Sequence, residues 1–130
     1  MKTFKIAISL FLTLLLVGCG RVQPIMNVED TPVAYELNKQ QVKSAILEAA
    51  MNRGWVINEV ASAKLTATVN VRTHSATIEI PYSNKYYSIH YVESKNLKAS
   101  DGSIHRNYNR WINNLNVDIQ KKLSLLAASQ

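Results

Sequence analysis

The chain has a single cysteine, Cys19, in 130 residues. One thiol excludes an internal disulfide even in an oxidising compartment, so packing alone must hold the fold. Glycine is scarce as well: Gly18, Gly20, Gly54 and Gly102 are the only four. None stands in the spacing of a phosphate-cradling loop or a nucleophile elbow. His74, His90 and His105 are dispersed, with no pair at the spacing that puts two ligands on one face, and a zinc-protease motif is absent. No metal and no other cofactor is expected. Charge blocks and repetitive tracts of the kind that mark disorder are missing too.

What is present begins at the N-terminus. Lys2 and Lys5 precede Ile6 to Val17, which is apolar apart from Ser9 and Thr13, and Gly18 then precedes Cys19. A basic start, a short apolar run and a small residue at the end have the order of a secretory signal. The apolar run of roughly twelve residues falls short of the ~20 that cross a bilayer. Leu16-Val17-Gly18-Cys19 resembles the lipobox of bacterial lipoproteins. In that family the thiol takes a diacylglycerol, the signal is cut just before the cysteine, and the new amino group is acylated. The resemblance implies lipid attachment (palmitate among the acyl groups) at Cys19, loss of residues 1–18, and durable membrane anchoring through several chains. Gly20 in the next position resembles the class sorted to the outer membrane of Gram-negative envelopes, which implies a domain facing the periplasm.

Removal of residues 1–18 leaves a length suited to one core. The formal charge of +6 for the whole chain falls to about +4 without Lys2 and Lys5. In this compartment a basic excess either serves solubility or points to anionic lipid, lipopolysaccharide or the acidic groups of the wall. The address argues against nucleic acid.

Residues 19–32 read as the lipidated N-terminus and a tether, interrupted by Pro24 and Pro32 and without apolar period. Fully extended, such a tether reaches roughly 40 Å. Residues 33–130 read as one globular domain. Asn38 and Gln41 have the spacing of a capping box, with Leu37 and Val42 as a staple, and Val42, Ala45, Ile46, Ala49 and Ala50 recur at helical period. The expected helix runs from Lys39 to Arg53, with Gly54 as its stop. Four strands follow by alternation: Trp55 to Val60, Leu65 to Arg72, Ala76 to Tyr82 and Tyr87 to Val92, with His74-Ser75 as the tight connection between the second and third. Pro81 must lie near a strand end or bulge. Ser103 stands where it would cap a long helix, whose stripe is Ile104, Tyr108, Trp111, Ile112, Leu115, Ile119, Leu123 and Leu126. The expected fold is α+β in two layers: a four-stranded antiparallel sheet with two helices on one face, in the order α-β-β-β-β-α.

Two surfaces are candidates for binding. Matching apolar positions across strands puts Glu79 opposite His90 and Asn70 opposite Glu79, a polar row on the outer sheet face that suits a sugar or peptide or is simply a wet face. On the long helix, Arg106, Arg110 and Lys121 fall away from the apolar stripe, accompanied by Asn107, Asn109, Asn113, Asn114 and Asn116. Asparagine is a mediocre helix former, so this density reflects either packing that tolerates it or polar contacts it makes. Such a ridge suits glycan hydroxyls, carboxylates or phosphates. Of the tyrosines in the hairpin, Tyr86 falls in the turn, beside Lys85, as a contact point for a partner.

The stretch from Ile104 to Ile112, after the tyrosine-rich hairpin, is similar to that of small proteobacterial envelope lipoproteins, a resemblance that brings no activity or site with it. The expectation is a non-enzymatic, lipid-anchored binding or adapter module of the envelope, with peptidoglycan or another envelope protein as partner. The alternatives are a small hydrolase of wall glycan or peptide, for which Glu79 with His90 is the one available pair, and a structural subunit of an envelope complex.

Overall fold

The computed structural model describes residues 21–130; the expected signal segment and lipid-bearing Cys19 lie outside the described residues. In chain order the elements are β1 (Val22–Pro24), β2 (Val28–Pro32), α1 (Lys39–Asn52), β3 (Val56–Ala61), β4 (Lys64–Val71), β5 (His74–Pro81), β6 (Tyr86–Lys95), β7 (Ser103–His105) and α2 (Arg106–Ala128). Five strands form an antiparallel sheet in the order β2-β6-β5-β4-β3, and β1 pairs with β7 in a separate two-stranded ribbon.

Local chemistry sets the ends of α1. The Asn38 side chain accepts from Gln41 N at 2.8 Å while the Gln41 side chain accepts from Asn38 N at 2.9 Å, so two of the orphan donors of the first turn are satisfied reciprocally. At the other end Gly54 takes φ +83°, a left-handed stop that costs glycine little. The face between these ends, Val42, Ala45, Ile46, Ala49 and Ala50, is buried. On α2 the buried stripe is Tyr108, Ile112, Leu115, Ile119 and Leu123. These two stripes share one core with Leu65, Ala67 and Val69 of β4, Ala76, Ile78 and Ile80 of β5, and Tyr87 and Ile89 of β6. Burying each of the larger aliphatic side chains contributes about 1.5–3 kcal/mol, which is what holds a chain without disulfides.

The architecture is α+β in two layers, and it differs from the expected pattern in three places. The sheet has five strands rather than four, because the stretch expected to be a tether supplies β2 at the outer edge of β6. A register shift between Val28 and Thr31, with Asp30 at φ 43°, breaks the alternation of β2, and Pro32 is tolerated because the strand is an edge. Ser103 does not cap the long helix. It opens β7, and His105 takes the cap, its side chain accepting from Asn107 N at 3.1 Å. The β4–β5 turn is Arg72-Thr73 instead of His74-Ser75, since Val71 already faces His74 across the ladder. Pro81 does lie at a strand end, opposite Lys64.

The N-terminal segment is tied down along its length. Arg106 N donates to Arg21 O at 3.0 Å and Ile25 N to Gly102 O at 2.9 Å. Asn109 clamps the same segment to α2: its Oδ1 accepts from Met26 N at 2.9 Å, and its Nδ2 donates to Pro24 O at 2.9 Å and to Gln23 Oε1 at 3.1 Å. Asn27 Oδ1 then accepts from Tyr91 N at 2.8 Å. A chain held this way from Arg21 onward cannot act as a free spacer.

Candidate functional site

The outer face of the sheet carries the first candidate. Glu79 stands opposite His90, as expected, but its partner on β4 is Thr66, and Asn70 instead faces Ser75. The row Asn70–Glu79–His90 therefore does not form. Asn70 lies four residues along its strand from Glu79's row because the true turn comes two residues earlier in the chain.

The two residues that do meet are each engaged elsewhere. His90 Nε2 lies 2.9 Å from Glu29 Oε2 on β2, and Lys64 Nζ lies 3.4 Å from Glu79 Oε1. Further along the same face Asn58 Nδ2 donates to Thr68 Oγ1 at 2.6 Å, and that hydroxyl lies 2.9 Å from Thr77 Oγ1. The face is thus a set of cross-strand pairs that satisfy one another. An acid–base pair needs a substrate proton within reach of a positioned group in a shaped site. Glu79 and His90 lie on a sheet face and line none of the depressions described below.

The helix candidates separate into two places. Arg106 and Arg110 line a depression of about 450 Å³ together with Asn109 and Asn113 of α2 and Gln23 and Met26 of the N-terminal segment. Lys121 stands eleven residues beyond Arg110, roughly 16 Å along the axis at 1.5 Å per residue. It lines a groove of about 250 Å³ between the helices, with Asp118, Lys122 and Leu125. That groove is laced by ion pairs: Arg53 Nε to Asp118 Oδ2 at 2.6 Å, and Lys122 Nζ to Glu48 Oε1 at 3.2 Å. The Arg53 guanidinium, chiefly through its hydrogen bond, holds the Asp118 carboxyl below the usual carboxylate range. Lys121 therefore belongs to the helix–helix seam and not to the arginine surface.

Around the depression the field is positive. Partial burial, and after it the charges of Arg106, Lys98, His74 and Arg21, hold the His105 imidazole below its ordinary pKa. His74 Nδ1 sits 2.6 Å from Asn96 O, and Asn96 Nδ2 donates to Thr73 Oγ1 at 2.7 Å. His105 N donates to Leu97 O at 2.8 Å. These bonds draw the β4–β5 turn, the loop after β6 and the start of α2 to one end of the molecule. Guanidinium groups beside carboxamides there offer planar forks and neutral donors to an oxyanion.

Sequence reasoning did not find the role of the asparagines. Asn109 is the clamp on the N-terminal segment, and Asn116 Oδ1 accepts from Tyr87 OH at 2.5 Å. The available signal was their density in a helix that disfavours them. Tyr86 is half exposed beside a shallow depression of about 280 Å³ that includes Asp30, Ser83 and Ser88. Among the described residues no group of three or more His, Cys, Asp or Glu side chains could hold a metal ion, and no helix is long and apolar enough to cross a membrane. No protein-family model and no curated protein matches the sequence.

Proposed function

We propose that this protein is a lipid-anchored, non-enzymatic binding or adapter module of the bacterial cell envelope, outer-membrane-attached and facing the periplasm in a Gram-negative host. The observation that carries this reading is the sequence Leu16-Val17-Gly18-Cys19 behind a basic start and a short apolar run. The fold supports it in one respect: β1 opens at Val22, three residues after the one that would bear the lipid. The depression at Arg106 and Arg110 is the surface best suited to a partner, since its donors match phosphate or carboxylate groups of an envelope component. Anionic lipid, wall polymers and envelope proteins all carry such groups.

The test is intact and peptide mass of the full chain purified from the envelope. The expected N-terminal peptide begins at Cys19 and bears both the thioether-linked diacylglycerol and the amide-linked acyl group. A peptide that retains Lys2 to Gly18, or an unmodified one beginning beyond Cys19, overturns the anchor.

A further inference from the structure

The ends of this molecule differ in charge. Six basic residues, Arg21, Arg72, Lys95, Lys98, Arg106 and Arg110, gather at the end where the described chain begins, against Glu93 and Asp101. Elsewhere the described residues carry seven basic and seven acidic side chains. The whole net charge of the described part thus belongs to one end.

Two of the six cations sit at a conformational cost. Arg72 has φ 57° and Lys98 φ 56°, the left-handed region that glycine or asparagine fills with less strain. Strain of this kind persists where something else is gained. Both side chains are at the basic end, and both are exposed.

Covalent geometry fixes what this end faces. Arg21 is pinned, its carbonyl accepting from Arg106 N and the next residue, Val22, paired with His105. Cys19 is two residues away in sequence, so the two Cα atoms lie within about 7 Å of each other whatever the intervening conformation. An acylated Cys19 sits at headgroup level. A 40 Å spacer would leave the cluster beyond the reach of the surface potential, which decays over roughly 8–10 Å at physiological salt. With no spacer, the first cations lie inside that distance.

We infer that the basic end of the domain, built from Arg21, Arg72, Lys98, Arg106 and Arg110, lies against the bilayer and that the anions it takes are the phosphates of acidic phospholipid headgroups. This deepens the preceding proposal and rests on its anchored Cys19. The depression at Arg106 and Arg110 then opens onto the headgroup layer, and the outer sheet face and the far end of α2 are left to the periplasm.

The experiment uses the full lipoprotein reconstituted into vesicles of pure phosphatidylcholine or of phosphatidylcholine with phosphatidylglycerol, with a fraction of lipid carrying an energy acceptor on the headgroup. A donor is placed by Ala99→Cys at the basic end or by Ser124→Cys at the far end of α2, both exposed positions. In phosphatidylglycerol vesicles, transfer from position 99 is expected to exceed transfer from 124 by about twofold or more. That excess is expected to shrink by about half at 0.5 M salt, where screening acts over roughly 4 Å, and in a Lys98→Glu/Arg110→Glu variant with an unchanged melting curve.

Equal transfer from the two positions, or transfer indifferent to lipid charge and salt, overturns the proposal. Co-sedimentation of the full chain with peptidoglycan sacculi, abolished by the same double variant while transfer stays equal, assigns the face to the wall polymer instead. Anchor and face fail separately. Unacylated chain that still floats with phosphatidylglycerol vesicles alone sinks the anchor and keeps the face, and unacylated chain that floats with neither sinks both.

Discussion

The Tyr91 ring on β6 and the Tyr108 ring on α2 meet edge to face, centroids 5.4 Å apart and planes at 90°. Their hydroxyls fare differently. Tyr91 OH lies 2.8 Å from Ser94 Oγ, whereas Tyr108 OH is buried with no hydrogen-bond partner among the described residues. Burial first, and the neighbouring Tyr91 second, push Tyr108 far above the usual phenol pKa. An unsatisfied buried hydroxyl costs about 1–3 kcal/mol. Tyr108→Phe keeps the ring contact and removes that cost, so the midpoint of thermal unfolding should stay level or rise. Tyr108→Ala should lose about 3–5 kcal/mol through the cavity it leaves. A fall of more than about 1 kcal/mol in the Phe variant would mean that the hydroxyl has a bound water as partner.

Asn109 gives a sharper test of why the described segment from Arg21 onward is held to the domain. Its carboxamide makes three bonds to Gln23, Pro24 and Met26. Asn109→Ala removes all of them and leaves Met26 N–H and Pro24 C=O to find water. We expect a loss of about 1–3 kcal/mol together with faster amide hydrogen exchange at Val22 and Gln23, while exchange in β4 and β5 is unchanged. Uniform acceleration through the whole sheet would show that the N-terminal segment is not a separable unit.

Short-range chemistry was the legible part of this sequence. The capping box at Asn38 and Gln41 and the stripe on α2 follow from spacings within one element. The Glu79–His90 register follows from matching apolar positions across one short hairpin. The error in the next hairpin is instructive. Moving its turn from His74-Ser75 to Arg72-Thr73 shifts Asn70 from Glu79 to Ser75, a displacement of four residues. Because four is even, every side chain keeps its face, and alternation alone cannot tell the two registers apart. β1 and β2 were hidden for another reason. An edge strand with a bulge and a terminal proline has no period to read, and the bonds that hold residues 22–30 come from Asn109, Tyr91 and Ser88, all distant in sequence. The charge asymmetry was invisible for the same cause, since Arg21, Arg72, Lys98 and Arg106 meet only in three dimensions.

His105 should make stability depend on pH. Partial burial and the surrounding cations lower its pKa in the folded state, and its Nδ1 serves as the acceptor that caps α2. The unfolded chain, with the ordinary value of about 6.5, binds the proton first as pH falls. Stability from this group is therefore complete above about pH 6.5 and declines as pH drops through and below it. The melting midpoint of the wild type should fall between pH 7.5 and 5.5. His105→Asn keeps a capping oxygen and removes the titration, so its midpoint should fall less over the same range. Parallel falls in the two proteins would exclude His105 as the source.

Asp118 should act at the other end of the scale. The Arg53 hydrogen bond lowers its pKa in the folded state, so its contribution is present above the ordinary carboxylate value of about 3.9 and is lost as pH falls through and below it. Arg53 is well exposed, which keeps the pair's worth small and sensitive to salt. Asp118→Asn should therefore lower the melting midpoint slightly at pH 7 and low salt. The difference from wild type should narrow at high salt and vanish near pH 2, where the wild-type carboxyl is protonated as well. A difference that persists at pH 2 would assign the effect to packing of the side chain in the helix–helix groove beside Lys121 and Leu125, and the ion pair would then contribute nothing of its own.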